Sequence, residues 1–327
     1  MKYEPPQKLK FELVIQNNDK LYMPIVPDGV TWTTNRIGSP GKMTFTVIKD
    51  EVINFTEGNH VRLTVDGTNL FYGFVFTNKR DKKQHIEVTA FDQLRYLSNK
   101  DTYNYKNMTA SDVIKMIAAD FRLNVGTIEQ TEFRIAARLE SNMSLFDIIY
   151  NALDLEITNK KNMYVLFDDF GKLTLKSLGN MMVNILIDEE TGENFDYATS
   201  IDDGTYNKVK LIFENEDTGK RDVYIAQDGN NINNWGVLQY FDTLQEGENG
   251  EAKVNALLSL YNAKTRRLKI TKAIGDVRVR AGCMVGVNLA LGDVTVTNFM
   301  LVEQCTHTFS ESEHWMDLIL RGGDFVG

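Results

Sequence analysis

Two stretches of this 327-residue chain read as short alternating strands in the same order, and that duplication limits the folds open to it. LKFELVIQNNDK, from Leu9, and VKLIFENEDTGK, from Val209, each run an alternating strand into an acidic-amide turn. VTWTT (Val30–Thr34) answers to WGVLQYF (Trp235–Phe241) through a shared tryptophan. KMTFTVIKD (Lys42–Asp50) answers to LKITKAIGD (Leu268–Asp276), and EGNHVRLTVDG (Glu57–Gly67) to AGCMVGVNLALG (Ala281–Gly292). LFYGFVF (Leu70–Phe76) pairs with NFMLVEQ (Asn298–Gln304), and HIEVTAF (His85–Phe91) with HWMDLIL (His314–Leu320). Any one pair is weak evidence, because strands share composition. Six in sequence are less easily accidental, and turn residues separate them, so two related β-barrels are expected.

Between these regions the period changes. TASDVIKMIAADFRL, from Thr109, has an N-cap threonine with Asp112 three residues on, and Val113, Ile114, Ile117, Ala118 and Phe121 share one helical face. SLFDIIYNALDL, from Ser144, repeats the device with Asp147 and a stripe of Leu145, Ile148, Ile149, Ala152 and Leu153. NMYVLFDDFGKLTLKSL (Asn162–Leu178) is a predicted β-hairpin turning at Asp169–Gly171, and Asp92–Leu97 a short helix leaving the sheet. A third helix, with Val254, Leu257, Leu258 and Tyr261 on one face, follows the Gln245–Gly250 loop. The expected class is mainly β with an α+β insertion. The first barrel is placed at residues 1–99, a middle α+β domain at 100–180, and the second barrel at 181–327 with an inserted helix at 251–265.

The 36 Lys and Arg against 45 Asp and Glu give a net charge of −9, which argues against a general nucleic-acid binder. The N-terminal residues lack the apolar run of a signal peptide, and no stretch reaches the roughly 20 apolar residues of a membrane helix. Folding in a reducing cytoplasm, without membrane insertion, is therefore expected. Cys283 and Cys305 make no disulfide framework and read as small apolar residues.

Chemistry-bearing residues are sparse. His60, His85, His307 and His314 lack helical zinc spacing; three open predicted strands, and His307 is placed just past one. The acidic pairs Asp168–Asp169 and Asp202–Asp203 read as turn residues, as do the loops Ile187–Asn194 and Phe213–Lys220, which lack the alternation of a calcium loop. Gly58, Gly73 and Gly282 sit in no phosphate-loop motif and read as backbone devices. The run Lys79–Lys83 reads as a charged hairpin tip. Leu70–Phe76 is mostly core, with one aromatic face left to meet a neighbouring subunit. Trp32, Trp235 and Trp315 are all placed in strands, against a carbohydrate-binding role. No catalytic residue, cofactor-binding residue or metal ligand is assigned, and no cofactor is expected.

Several segments carry a family resemblance. They are WTTNRIGSPGKMTFTV (Trp32–Val47), EGNHVRL (Glu57–Leu63), LFYGFVF, and VTAFDQLRYLSNKDTY (Val88–Tyr103). TASDVIKMIAADFRLNVGTI (Thr109–Ile128), RAGCMV (Arg280–Val285) and THTFSESEHWMDLIL (Thr306–Leu320) continue it over nearly the whole chain. The chain resembles the XkdQ/YqbQ-type hub proteins of defective prophages and tail-like bacteriocins in Gram-positive bacteria. That resemblance implies tube-type barrels, a homotrimeric ring with a central channel, a tail tube or tube initiator above, and a spike below. A tape-measure protein and a baseplate wedge are further implied contacts. Three copies with two β modules each would join a six-fold assembly to a three-fold one. The rival readings, a tail-associated cell-wall hydrolase and a carbohydrate- or receptor-binding tip module, find no motif of their own.

Overall fold

The computed structural model describes residues 10–202, 204–214, 219–244, 248–290, 295–310 and 313–322. Asp203, parts of the loops Phe213–Lys220 and Gln245–Gly250, and the first nine residues lie outside that set. The first β region holds β1 (Phe11–Asn17), β2 (Lys20–Tyr22), β3 (Val30–Asn35), β4 (Lys42–Ile48), β5 (His60–Val65), β6 (Thr68–Arg80) and β7 (His85–Phe91). A 3-10 helix at Gln93–Ser98 leads into β8 (Lys100–Met108), α1 (Ala110–Asp120), β9 (Val125–Ile128), β10 (Ile135–Ser144), α2 (Leu145–Lys160), β11 (Tyr164–Asp168) and β12 (Leu173–Ser177). Next come β13 (Met182–Ile187), β14 (Gly192–Ser200), β15 (Lys208–Glu214), β16 (Arg221–Gln227), α3 (Gly229–Trp235), β17 (Gln239–Thr243) and α4 (Gly250–Tyr261). The chain closes on β18 (Thr265–Ile274), β19 (Met284–Ala290), β20 (Thr295–Phe309) and β21 (His314–Gly322).

Both β regions enter one open 13-stranded sheet, ordered β14-β18-β21-β20-β3-β4-β7-β6-β5-β1-β2, with β19 branching from β20 and β13 from β19. Among the described residues no sheet closes, so the expected tube-type β-barrels are wrong. The reason lies in β20, which spans 15 residues. Its first half pairs with β19 and its last six residues, Gln304–Phe309, pair antiparallel with β3. The free edge of β3 is thus used to join the two regions, leaving none to seal the first on itself.

The duplication survives as strand order. One region runs β3-β4-β7-β6-β5-β1 and the other β14-β18-β21-β20-β19-β13. Four of the matched sequence pairs fall on equivalent strands: β4 with β18, β5 with β19, β6 with β20 and β7 with β21. Two do not. The counterpart of β1 is β13, which pairs parallel to β19 where β1 runs antiparallel to β5. The counterpart of β3 is β14. The Val209 strand belongs instead to a separate three-stranded sheet, β16-β15-β17, and Trp235 ends α3 rather than lying in a strand.

Local chemistry explains the helices. The Thr109 hydroxyl accepts from the Asp112 amide and the Asp112 carboxylate accepts from the Thr109 amide, closing a capping box on α1. Ser144 caps α2, whose stripe Leu145, Ile148, Ile149, Ala152 and Leu153 is buried. Each leucine and isoleucine of the stripe contributes about 1.5–3 kcal/mol by leaving water. Four apolar clusters form: one in each β region, one around α1 and α2, and a small one under α4 built on Val209, Leu211, Val254 and Leu257.

Candidate functional site

The seam where β3 meets β20 is where the β regions and the middle region converge. Val30, Trp32 and Thr34 alternate inward along β3, so its other face offers Thr33 and Asn35 to β20. Thr33 Oγ1 lies 3.1 Å from Thr306 Oγ1, and Gln304 Nε2 donates to Asn35 Oδ1 at 2.7 Å. Beyond the strand end, Arg36 donates two hydrogen bonds to the Glu303 carboxylate at 2.8 and 3.1 Å, a planar fork that fixes register. The Ala281 amide donates to Thr34 Oγ1 at 2.9 Å, and Tyr150 of α2 donates its hydroxyl to the Arg36 carbonyl at 3.1 Å.

Two buried acids lie beside this seam. Asp92 accepts from the Gly41 amide at 2.8 Å and the Leu94 amide at 3.0 Å. A Cβ at Gly41 would stand 2.4 Å from Asp92 Oδ2, so that approach needs glycine. Asp168 accepts from the Gly171 amide at 2.6 Å and from Gln93 Nε2 at 2.9 Å. Burial raises the Asp92 carboxyl well above the usual range, the Asp168 charge adding to it, and burial also raises Asp168. Arg280 opposes both: its guanidinium lies 4.1 Å from the Phe167 ring centroid and 5.9 Å from that of Trp32. Arg280 Nε is buried without a hydrogen-bond partner, and the guanidinium faces the Phe167 ring in the field of the two acids.

Histidines line the same seam. His307, expected just past a strand, lies inside β20 and is fully buried. It stacks on Trp32 at 5.1 Å. His307 Nε2 lies 2.8 Å from the Val279 carbonyl and so carries the proton; Nδ1 then accepts from His314 Nε2 at 2.8 Å. Cys305 Sγ sits 3.2 Å from His307 Nε2. Burial, then the neighbouring His314, lowers His307 to about 3; burial lowers His314 to about 4. Burial raises both thiols.

Other singled-out residues scatter. His60 accepts or donates with the Tyr72 hydroxyl at 2.9 Å, and His85 lies 3.4 Å from Asp81 at the β6–β7 hairpin, where Lys79–Lys83 also falls. The aromatic face of β6 is covered from within: Tyr72 meets Phe170, and Phe74 and Phe76 meet Tyr96. Tyr72, Phe74 and Phe76 stay half-buried beneath these contacts. Gly73 permits close approach to the Phe91 carbonyl, while Gly58 and Gly282 have positive φ. Gly282→Ala, whose Cβ would press on Val165 at 2.3 Å, is expected to cost about 1–2 kcal/mol in urea denaturation.

Among the described residues, no group of three or more His, Cys, Asp or Glu could hold a metal ion. Neither acid lines the adjoining cleft of about 150 Å³ bordered by Gln93, Tyr96 and Asn124. The oxygens of Asp92 and Asp168 are occupied by donors from three segments of their own chain, which makes the seam a stiff joint. Sequence reasoning missed Asp92, Arg280 and the burial of His307 against Trp32 and Val279, because these arise from contacts between segments distant in sequence. The lone signal was the charged and aromatic content of FDQLRYL and RAGCMV.

The YqbQ-like family model matches residues 30–321. An uncharacterized protein of Bacillus subtilis, YqbQ, is 29% identical over 91% of this chain and 92% of its own length. XkdQ, a protein of the phage-like element PBSX from the same organism, is 26% identical over 92% of this chain and 94% of its own. Among solved structures, a tail protein of Neisseria meningitidis MC58 superposes with a TM-score of 0.68 at 12% identity, covering 96% of this chain and 97% of the other.

Proposed function

The chain belongs to the YqbQ-like family, and we propose that it is a structural hub of a contractile tail baseplate, in which three copies form a ring between the tail tube and the spike. The reading rests on one observation above the others: the same six-strand order occurs twice in one continuous sheet. Three copies then carry six similar modules, which suits a partner with six-fold symmetry on one side and one with three-fold symmetry on the other. The seam supports this role. A symmetry adaptor has to hold its two modules at a fixed angle, and β3–β20 pairing, the Arg36–Glu303 fork and the Arg280 stack act together to do so. The net charge of −9 suits a channel wall that does not grip DNA. Assembly in the bacterial cytoplasm and residence in the released baseplate follow from the same reading, as does a non-enzymatic role.

Removal of the gene from its host tests this directly. Electron microscopy of the induced lysate is expected to show no tails bearing a finished baseplate, with recovery on complementation. Intact particles in the deletion strain would overturn the proposal.

A further inference from the structure

The strands β14 and β18 pair directly, with Ser200 opposite Thr265, yet 64 residues of chain lie between those two positions. That intervening chain builds the β16-β15-β17 sheet and α4, with its own apolar cluster. The large sheet needs only a turn there. The small sheet is covered by α4 on the face that holds Val209 and Leu211. Register places Lys210 between Ile225 and Phe241 on the opposite face, and Ile212 beside Val223. This second face is apolar and bare: Ile225 is 52% exposed and Phe241 53%. Its charge is basic, from Lys208 and Lys210, because the remaining pair, Arg221 and Glu214, bond each other. Lys210 lies over the Phe241 ring.

A second bare patch lies at the other end of the large sheet, whose path runs from β14 to β2. Leu21, Met23, Ile25 and Val52 form it, with Ile25 71% and Val52 73% exposed. The Ile48 amide donates to the Ile25 carbonyl and Asn17 Nδ2 donates to the Asn54 carbonyl, which brings these segments together. The same segments carry Asp19, Asp28, Asp50 and Glu51 against Lys20 and Lys49, a balance of four acids to two bases.

We infer that the bare face of the inserted sheet docks a second copy of this chain, on the acidic-rimmed patch beside β2. Apolar centres of matching kind and opposite charge, on two different surfaces of one chain, are what a head-to-tail contact requires, and such contacts make a ring when the rotation between copies closes. Uncovered apolar side chains grouped on one face, as Val223, Ile225 and Phe241 are, mark interfaces. The inference rests on the proposed ring and names the surfaces that close it.

Disulfide trapping tests it. Ile225→Cys and Val52→Cys are prepared separately, the native Cys283 and Cys305 being buried. On mild oxidation, the mixture is expected to give a cross-linked dimer at least tenfold above either variant alone, with trimer mass by light scattering. Links within one variant alone, or a trimer without links, would overturn the pairing and leave the ring standing. A chain that stays monomeric and unlinked at high concentration would overturn both the pairing and a self-assembling ring. The Lys210→Glu variant is expected to weaken association at least tenfold while unfolding at the wild-type midpoint; unchanged association would also count against the pairing.

Discussion

Arg280→Met is expected to lower stability by roughly 2–4 kcal/mol, the largest loss for a single side chain at the seam. The guanidinium lies 4.1 Å from the Phe167 centroid, so the substitution removes a cation from an aromatic face in a poorly hydrated site. It also removes the positive field that opposes the raised carboxyls of Asp92 and Asp168. The pH dependence then has a definite sign. An acid whose folded pKa is raised contributes stability below its unfolded value of 3.8, and that contribution is lost as pH rises through the folded value. Without Arg280 both acids rise further, so the deficit of the variant is greater at pH 8 than at pH 5. Adding Asp92→Asn removes the uncompensated acid and is expected to recover part of the loss. Urea denaturation at both pH values checks this, and a variant within about 0.5 kcal/mol of wild type would contradict it.

Acid is expected to loosen the same seam through its histidines. His307 has a folded value of about 3 and His314 about 4, against 6.5 unfolded. The unfolded chain therefore binds more protons between those limits. Stability from the neutral rings is present above pH 6.5 and is lost as pH falls toward 3 to 4. Between pH 6.5 and 4.5 each ring costs about 2–3 kcal/mol. Asp92 and Asp168 act with the opposite sign in this window, since burial makes their folded forms take up protons more readily. The comparison of wild type with His307→Gln isolates the ring, because the acids are common to both. The glutamine amide can still donate to the Val279 carbonyl. The variant is expected to lose about 2–3 kcal/mol less than wild type on going from pH 7 to pH 4.5. Parallel losses would show that His307 is not held neutral.

Legibility in the sequence followed local pattern. Strands with a clean apolar alternation, such as HVRLTV and KMTFTVI, sit where their pattern puts them, and both capped helices begin at their caps. Strands without it were missed. In β8, KDTYNYKNM, only Tyr103 and Tyr105 turn inward, and β14 buries none of its nine residues. Missing β13 and β14 sent their partners in the repeat to β15 and to Trp235, which belong to the insertion. Closure was misjudged for a different reason. Whether a sheet seals or continues depends on which edge meets which, and β20 meeting β3 involves residues about 270 apart. No local period reports that. The seam cluster is hidden for the same reason, since Asp92, Asp168 and Arg280 come from three separate segments.

Cryo-electron microscopy of the assembled baseplate, with the chain traced at the end of the tube, tests the duplication most directly. Three copies are expected, with the β4-β7-β6-β5 and β18-β21-β20-β19 modules alternating at one radius to make six equivalent positions. Six copies around the axis, or the two modules at different radii, would contradict the account.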